Sequence, residues 1–197
     1  MLMFSTPVVL KSRKASDRTE ALNNIRQIGL ALFEFEADYG SFPSAATIPD
    51  VKVRTSTLLT LDDSSSNKLF RQLIANGLKS EKPFWAKTNE TPKKPDDGFN
   101  SDATALAKGE CAFSYAVGLK STDDPGLPIV MTPMISGTRK FSTPKSLGEK
   151  AIVLRLDNSA TALQIRQDNN LAHVGGGRTL FDPSVWGSVK PDLRWPE

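Results

Sequence analysis

The chain has 197 residues, 39% of them hydrophobic and 24% charged, with 13 Gly and 13 Pro. That composition excludes a disordered, collagen-like or low-complexity chain and fits one soluble globular domain, loop-rich and long enough to bury a core. The formal charge of +3 arises within residues 1–26, where Lys11, Arg13, Lys14, Arg18 and Arg26 stand against Asp17 and Glu20. The rest of the chain sums to zero. A basic isoelectric point set by one short segment is a poor argument for nucleic acid, which asks for several cations concentrated on one face. The single cysteine, Cys111, cannot close an internal disulfide, and no Cys/His spacing matches a zinc site.

Seven of the first ten residues are apolar. No stretch approaches the ~20 apolar residues of a membrane span. A basic start, apolar run and small-residue cleavage site are also missing, so this is no ordinary secretory signal. Leu2, Met3, Phe4, Val8, Val9 and Leu10 read most simply as the last turns of a membrane helix, a membrane-anchor remnant. A short strand or a disordered tail are the alternatives.

The strongest helical signal spans Ser12 to Tyr39. Leu22, Ile25, Ile28, Leu32, Phe35 and Tyr39 step by 3, 3, 4, 3 and 4, which is helical periodicity and marks the packing face of a spine. Glu20, Asn23, Asn24, Gln27 and Glu34 fall off that stripe, while Leu30 and Phe33 widen it. Gly29 inside the stripe costs about 1 kcal/mol against alanine unless close packing recovers it. Gly40 and Pro43 end the helix, and Pro7 kinks it or marks its start.

After a loop at 41–64, Ser64-Ser65-Ser66-Asn67 offers caps for a second helix with Leu69, Phe70, Leu73 and Ile74 on its apolar face and Gly77 at its end. Residues 79–110, with Pro83, Pro92, Pro95 and Asp96-Asp97-Gly98, read as a long irregular excursion. Cys111–Val117 and Pro128–Thr132 predict strands. Ala151–Asp157 and Ala160–Arg166 flank Asn158-Ser159 and predict a hairpin on a two-residue loop. In that register opposite residues sum to 317, so Leu156 meets Thr161, Leu154 meets Leu163, and Ile152 meets Ile165 on one face. Residues 167–197 read as a tail of turns laid on the sheet.

Catalytic signatures are missing. No G-x-S-x-G, H-E-x-x-H or C-x-x-C occurs, and no Gly-Lys pair exists for a phosphate-binding loop. Gly175-Gly176-Gly177-Arg178-Thr179 reads as a flexible turn before a phosphate cradle. His173 is the only histidine, and Cys111 lies in an alternating strand as a small hydrophobe. Three acidic pairs, Asp62-Asp63, Asp96-Asp97 and Asp123-Asp124, lack the spacing of a calcium loop and read as solvated turns. Trp85, Trp186 and Trp195 read as staples holding loops to the core. These features predict no catalytic residue, no cofactor and no metal, hence no enzyme.

The run from Ala21 through Leu-Asn-Asn-Ile-Arg-Gln-Ile-Gly-Leu-Ala-Leu-Phe-Glu-Phe-Glu-Ala-Asp-Tyr-Gly-Ser-Phe to Pro43 resembles the helix exit of type IV pilin-like proteins, especially type II secretion pseudopilins. Tyr39, Gly40 and Pro43 match its ending, and Lys11–Arg18 is similar to the basic stretch that follows the membrane span. The resemblance is specific over residues 11–43 and loose over 110–166. It implies an α+β pilin-like fold: a spine over residues 1–40, and a head over 41–197 that forms one domain with it. It further implies a structural subunit of a secretion or pilus filament, built through the N-terminal helix with other pilin or pseudopilin subunits. For the precursor it implies an inner-membrane assembly platform and a prepilin peptidase, with a periplasmic or surface-filament head. The rival reading is a surface-exposed interaction protein whose loops 79–110 and 167–197 bind a ligand.

Overall fold

A computed structural model describes the backbone of residues 6–197 and the side chains from residue 12 onward. Of the anchor residues expected above, Leu2, Met3 and Phe4 lie outside the described residues, as do the side chains of Val8, Val9 and Leu10. The first element is a single unbroken helix, α1, Thr6–Tyr39, about 51 Å long at 1.5 Å per residue. Pro7 falls in its first turn, where a missing N–H costs nothing. Gly40 ends it at φ +75°, donating to the Glu36 carbonyl at 2.7 Å.

The predicted stripe is the buried face of α1. Ala21, Ile25, Ile28, Leu32 and Phe35 are buried, and Leu22 and Tyr39 are half-buried at its margins. The broadening at the helix end is narrower than expected. Phe33 packs edge-on to Phe42 with ring centroids 5.6 Å apart, but Leu30 points outward and stays 57% exposed. Asn24, expected off the stripe, is buried because its amide donates to the Trp85 carbonyl at 2.9 Å.

The segment 41–64 is not wholly a loop. It contains α2, Ile48–Thr55, which buries only Val51 and so shows no periodicity in the sequence. The second predicted helix is α3, Ser66–Ala75, capped by the Ser65 hydroxyl accepting from the Lys68 amide. Gly77 follows it at φ +112°.

The remainder of the fold is a curled antiparallel sheet, which makes the chain α+β. Its strands are β1 Ser114–Val117, β2 Pro128–Thr132, β3 Lys150–Arg155, β4 Ala160–Ile165, β5 Ala172–Gly175, β6 Arg178–Thr179 and β7 Asp192–Arg194. Their spatial order is β6-β5-β4-β3-β2-β1-β7. Cys111–Phe113 stays outside the ladder, because Ala112 gives its N–H to the Phe84 carbonyl and its own carbonyl to the Thr132 hydroxyl. The tail is more than turns on the sheet. It supplies β5 and β6 at one edge, the short helix α4 (Pro183–Trp186), and β7 at the other edge.

The β3–β4 hairpin exists, but its register differs from expectation. Leu154 faces Ala160, Ile152 faces Ala162 and Ala151 faces Leu163, so opposite residues sum to 314. The loop has three residues, Leu156-Asp157-Asn158, closed by Arg155 N–H to the Ser159 carbonyl at 2.9 Å. Asn158 takes φ +60°, and the Asp157 carboxylate accepts from the Ser159 amide at 2.8 Å. Asparagine tolerates the left-handed region, and a three-residue loop with such a residue is a favoured hairpin. The odd shift turns every β4 side chain to the opposite face. Alanines 160 and 162, not Leu163 and Ile165, therefore share the face of Ile152 and Leu154. On that face Leu154 lies against Gly29 of α1, and Arg26 reaches the Ala160 carbonyl at 3.3 Å.

Candidate functional site

Helix α1 divides into two stretches with different surroundings. From Ala21 on, one face is sealed against the sheet. Ser12, Arg13, Lys14, Ala15 and Ser16 are all exposed, so this stretch stands clear of the head. Between them Asp17 pairs with Lys87 at 3.2 Å, and the Arg18 guanidinium lies beside Gly148. No helix among the described residues is long and apolar enough to cross a membrane.

Beside this junction the excursion 79–110 forms an open groove of about 630 Å³, lined by Glu20, Lys82, Trp85, Lys87, Pro92 and Lys94 among others. Trp85 lines it with part of its ring, while the indole N–H lies buried behind that surface with no hydrogen-bond partner among the described residues. A polar cleft of about 520 Å³ continues along Ser16, Thr19, Asn23 and Gln27. The groove was invisible in the sequence, because it depends on an irregular segment docking against α1.

What holds that segment is a set of buried polar side chains. Glu81 is fully buried, and its carboxylate accepts from the Leu106 and Asp97 amides. Glu110 accepts from the Ala107 amide at 2.7 Å. Arg71, on α3, donates to the Ala105 carbonyl at 2.8 Å, the Asp102 carbonyl at 2.8 Å and the Asp102 carboxylate at 3.1 Å. Asn67 donates to the Leu106 and Ala107 carbonyls. Burial pushes both glutamates above the usual carboxylate range, reinforced at Glu81 by the charges of Glu110 and Asp96 and at Glu110 by that of Asp96. Buried groups of this kind fix one backbone path, because each unpaired partner would be costly.

The remaining sequence candidates occupy structural positions. Burial pushes the Cys111 thiol up to about 12, and its nearest polar contacts are the Phe113 carbonyl and the Ser66 hydroxyl. His173, on β5, sits four strand positions from β1, the strand that Cys111 precedes, or about 19 Å at sheet spacing. The two do not meet. Gly176 and Gly177 form a two-residue hairpin turn between β5 and β6, both at positive φ, as the mirror-image turns require.

Four of the six paired acids close turns: Asp62 accepts from Ser64, Asp96 from Gly98, Asp123 from Lys120 and Asp124 from Gly126. Asp97 accepts from the distant Glu81 amide, and Asp63 pairs with Arg194. Among the described residues no group of three or more His, Cys, Asp or Glu gathers to hold a metal ion. Trp186 and Trp195 are staples, donating to the Leu180 and Thr138 carbonyls.

A family model described as a protein of unknown function, DUF1559, matches residues 11–111, a family associated with pilin-like, prepilin-type proteins. The match covers α1 from Lys11 on, α2, α3 and the braced excursion, and so includes both the helix and the segment that line the groove. No curated protein and no solved structure matches the chain.

Proposed function

The chain belongs to the family of unknown function DUF1559, and from that premise we propose that it is a structural pilin-like subunit, of the pseudopilin kind, that assembles through α1. The observation that carries this reading is the division of α1. A single 34-residue helix packs on an antiparallel sheet only from Ala21 onward, while Ser12–Ser16 stand exposed beyond the head. A helix packed on the head from Ala21 onward and exposed over Ser12–Ser16 can bundle with copies of itself while the heads face outward. The partners are neighbouring pilin or pseudopilin subunits. For the precursor, they are an inner-membrane assembly platform and prepilin peptidase.

The test is disulfide trapping in cells expressing the whole gene, with Cys111→Ser to remove the native thiol. Ser12→Cys, Ser16→Cys and Thr19→Cys, introduced singly, should each be scored for multimers on oxidation. At least one should give a ladder, and Ser136→Cys in a head loop should not. Monomer alone at all three spine positions would overturn the assembly reading. A second reading, a ligand-binding surface protein, is favoured by the groove that Trp85 lines with Lys82, Lys87 and Lys94.

A further inference from the structure

We infer that the groove beside α1 binds a neutral polysaccharide whose pyranose rings stack on Trp85. The inference names a ligand class for the groove of the second reading and rests on that reading, not on assembly through α1.

Trp85 differs from the other two tryptophans. Trp186 and Trp195 give their indole N–H groups to the Leu180 and Thr138 carbonyls and so hold local segments together. The Trp85 indole makes no such bond among the described residues, and part of its ring lines the groove together with Pro92 and Pro95. The side chain is half-buried, which leaves aromatic surface open to a ligand. The negative face of such a ring attracts weakly positive C–H bonds. A pyranose with equatorial hydroxyls presents C–H bonds on both of its faces, so a β-linked glucose chain is the sugar that stacks best.

The neighbouring cleft supplies partners for the hydroxyls. Glu20 and Lys82 line both the groove and the cleft, which joins the two into one channel. Along it Ser16, Thr19, Asn23 and Gln27 recur every three or four residues, a row on one face of α1. All four are exposed, and the row runs about 17 Å at 1.5 Å per residue, so several rings in line can meet it. Hydroxyls and carboxamides both donate and accept, as sugar hydroxyls do.

Charge argues against other occupants. In the lining Asp17, Glu20 and Asp97 stand against Lys82, Lys87 and Lys94, so no net field draws a nucleic acid or an acidic peptide. The wall is also set before a ligand arrives. The Asn24 amide donates to the Trp85 carbonyl at 2.9 Å, the Trp85 backbone N–H to the Lys82 carbonyl at 3.1 Å, and the Thr91 hydroxyl to the Ala86 carbonyl at 2.9 Å. A wall held this way loses little freedom on binding.

The experiment is calorimetric titration of the purified chain with cellohexaose and, in parallel, with hexagalacturonate and a hexaglutamate peptide. Cellohexaose should bind with a Kd below about 1 mM. That affinity should hold between about 0.1 M and 1 M salt, because an uncharged ligand offers nothing to screen. Trp85→Ala should weaken binding at least about tenfold, and Trp85→Phe should fall between the two. Asn23→Ala/Gln27→Ala alters only exposed positions and keeps the test valid if Trp85→Ala disturbs the excursion. Two lost hydrogen bonds at about fivefold each should weaken cellohexaose about 25-fold. Lys52→Gln, on α2, should bind as the parent does. An unweakened Trp85→Ala, an unweakened double variant, or affinity that falls with salt would each overturn the inference. Preference for hexagalacturonate or the peptide would overturn the sugar and leave a ligand-binding groove, whereas binding of none of the three would overturn the second reading as well.

Discussion

Gly29 shows how a single residue sets the distance between helix and sheet. A Cβ built at this position would lie 2.0 Å from the Asn158 side-chain oxygen and 3.0 Å from a Leu154 methyl. The hairpin tip therefore rests on the helix backbone where no side chain stands. In an exposed helix, Gly→Ala gains about 1 kcal/mol. Here the substitution must displace the buried Asn158 amide and a Leu154 methyl from their packing, so Gly29→Ala should cost about 1–3 kcal/mol, as overpacking does. Asn158→Gly removes the obstructing group at a position whose φ of +60° suits glycine. The double variant should recover most of the loss. Urea midpoints for the four proteins decide it, and a stabilised Gly29→Ala would mean that the hairpin does not rest there. The sequence marked Gly29 as anomalous within the apolar stripe. Its partner, 129 residues away, was not legible because the contact depends on the loop conformation of Asn158.

At the scale of elements, what could be read was what repeats. Helix α1 shows because its stripe recurs through five steps, and α3 because a cap and a closing glycine bracket four apolar residues. The hairpin shows by alternation, but alternation leaves the loop length open by a residue. The geometry of Asn158 then decides the face. The excursion 79–110 has no period, so its order comes from side chains that the sequence presents as ordinary charges.

Glu81 gives that brace a measurable signature. Burial holds the folded-state pKa of Glu81 and Glu110 above that of the unfolded chain. Below the ordinary glutamate value of about 4.3 both are neutral in either state. As pH rises through the raised folded values the buried charge appears, and their contribution to stability falls. Asp102 and Asp157 act oppositely. Hydrogen bonds from Thr60 and Ser159 hold them below the usual range. Their stabilisation is present above about pH 3.9 and is lost as pH falls through the lowered folded values. The melting temperature should thus peak on the acid side of neutrality. Glu81→Gln should flatten the decline above the peak, leave the acid limb in place, and lower stability throughout by about 1–3 kcal/mol for the amide left without its acceptor. A variant profile parallel to the parent across the whole range would show that Glu81 is not the titrating brace.

Over the whole molecule, the C-terminal residues tie together parts that no local pattern connects. After α4 the chain crosses from the β6 edge to the opposite edge, where β7 pairs with β1. Its neighbours then seal three further segments. The Trp195 carbonyl accepts from the Ser66 amide at the start of α3, and the Glu197 amide donates to the Asn67 side chain. The Gly109 amide donates to the Glu197 carbonyl, and the Trp195 indole to the Thr138 carbonyl. Arg194 pairs with Asp63 at 3.3 Å. The last residues therefore hold the sheet edge, the front of α3 and the end of the braced excursion at once. A three-residue strand between Pro191 and Pro196 has too few positions to show alternation, which is why it escaped the sequence. Deleting residues 188–197 should do more than fray an end. It would expose the β1 edge as a row of unpaired backbone groups open to other chains, and free the excursion from one of its anchors. The truncated protein should melt well below the parent, be cut by protease first within 79–110, and self-associate in a concentration-dependent way by sedimentation. A truncated chain that keeps the parent's melting temperature and protease resistance would show that the tail decorates a fold already complete without it.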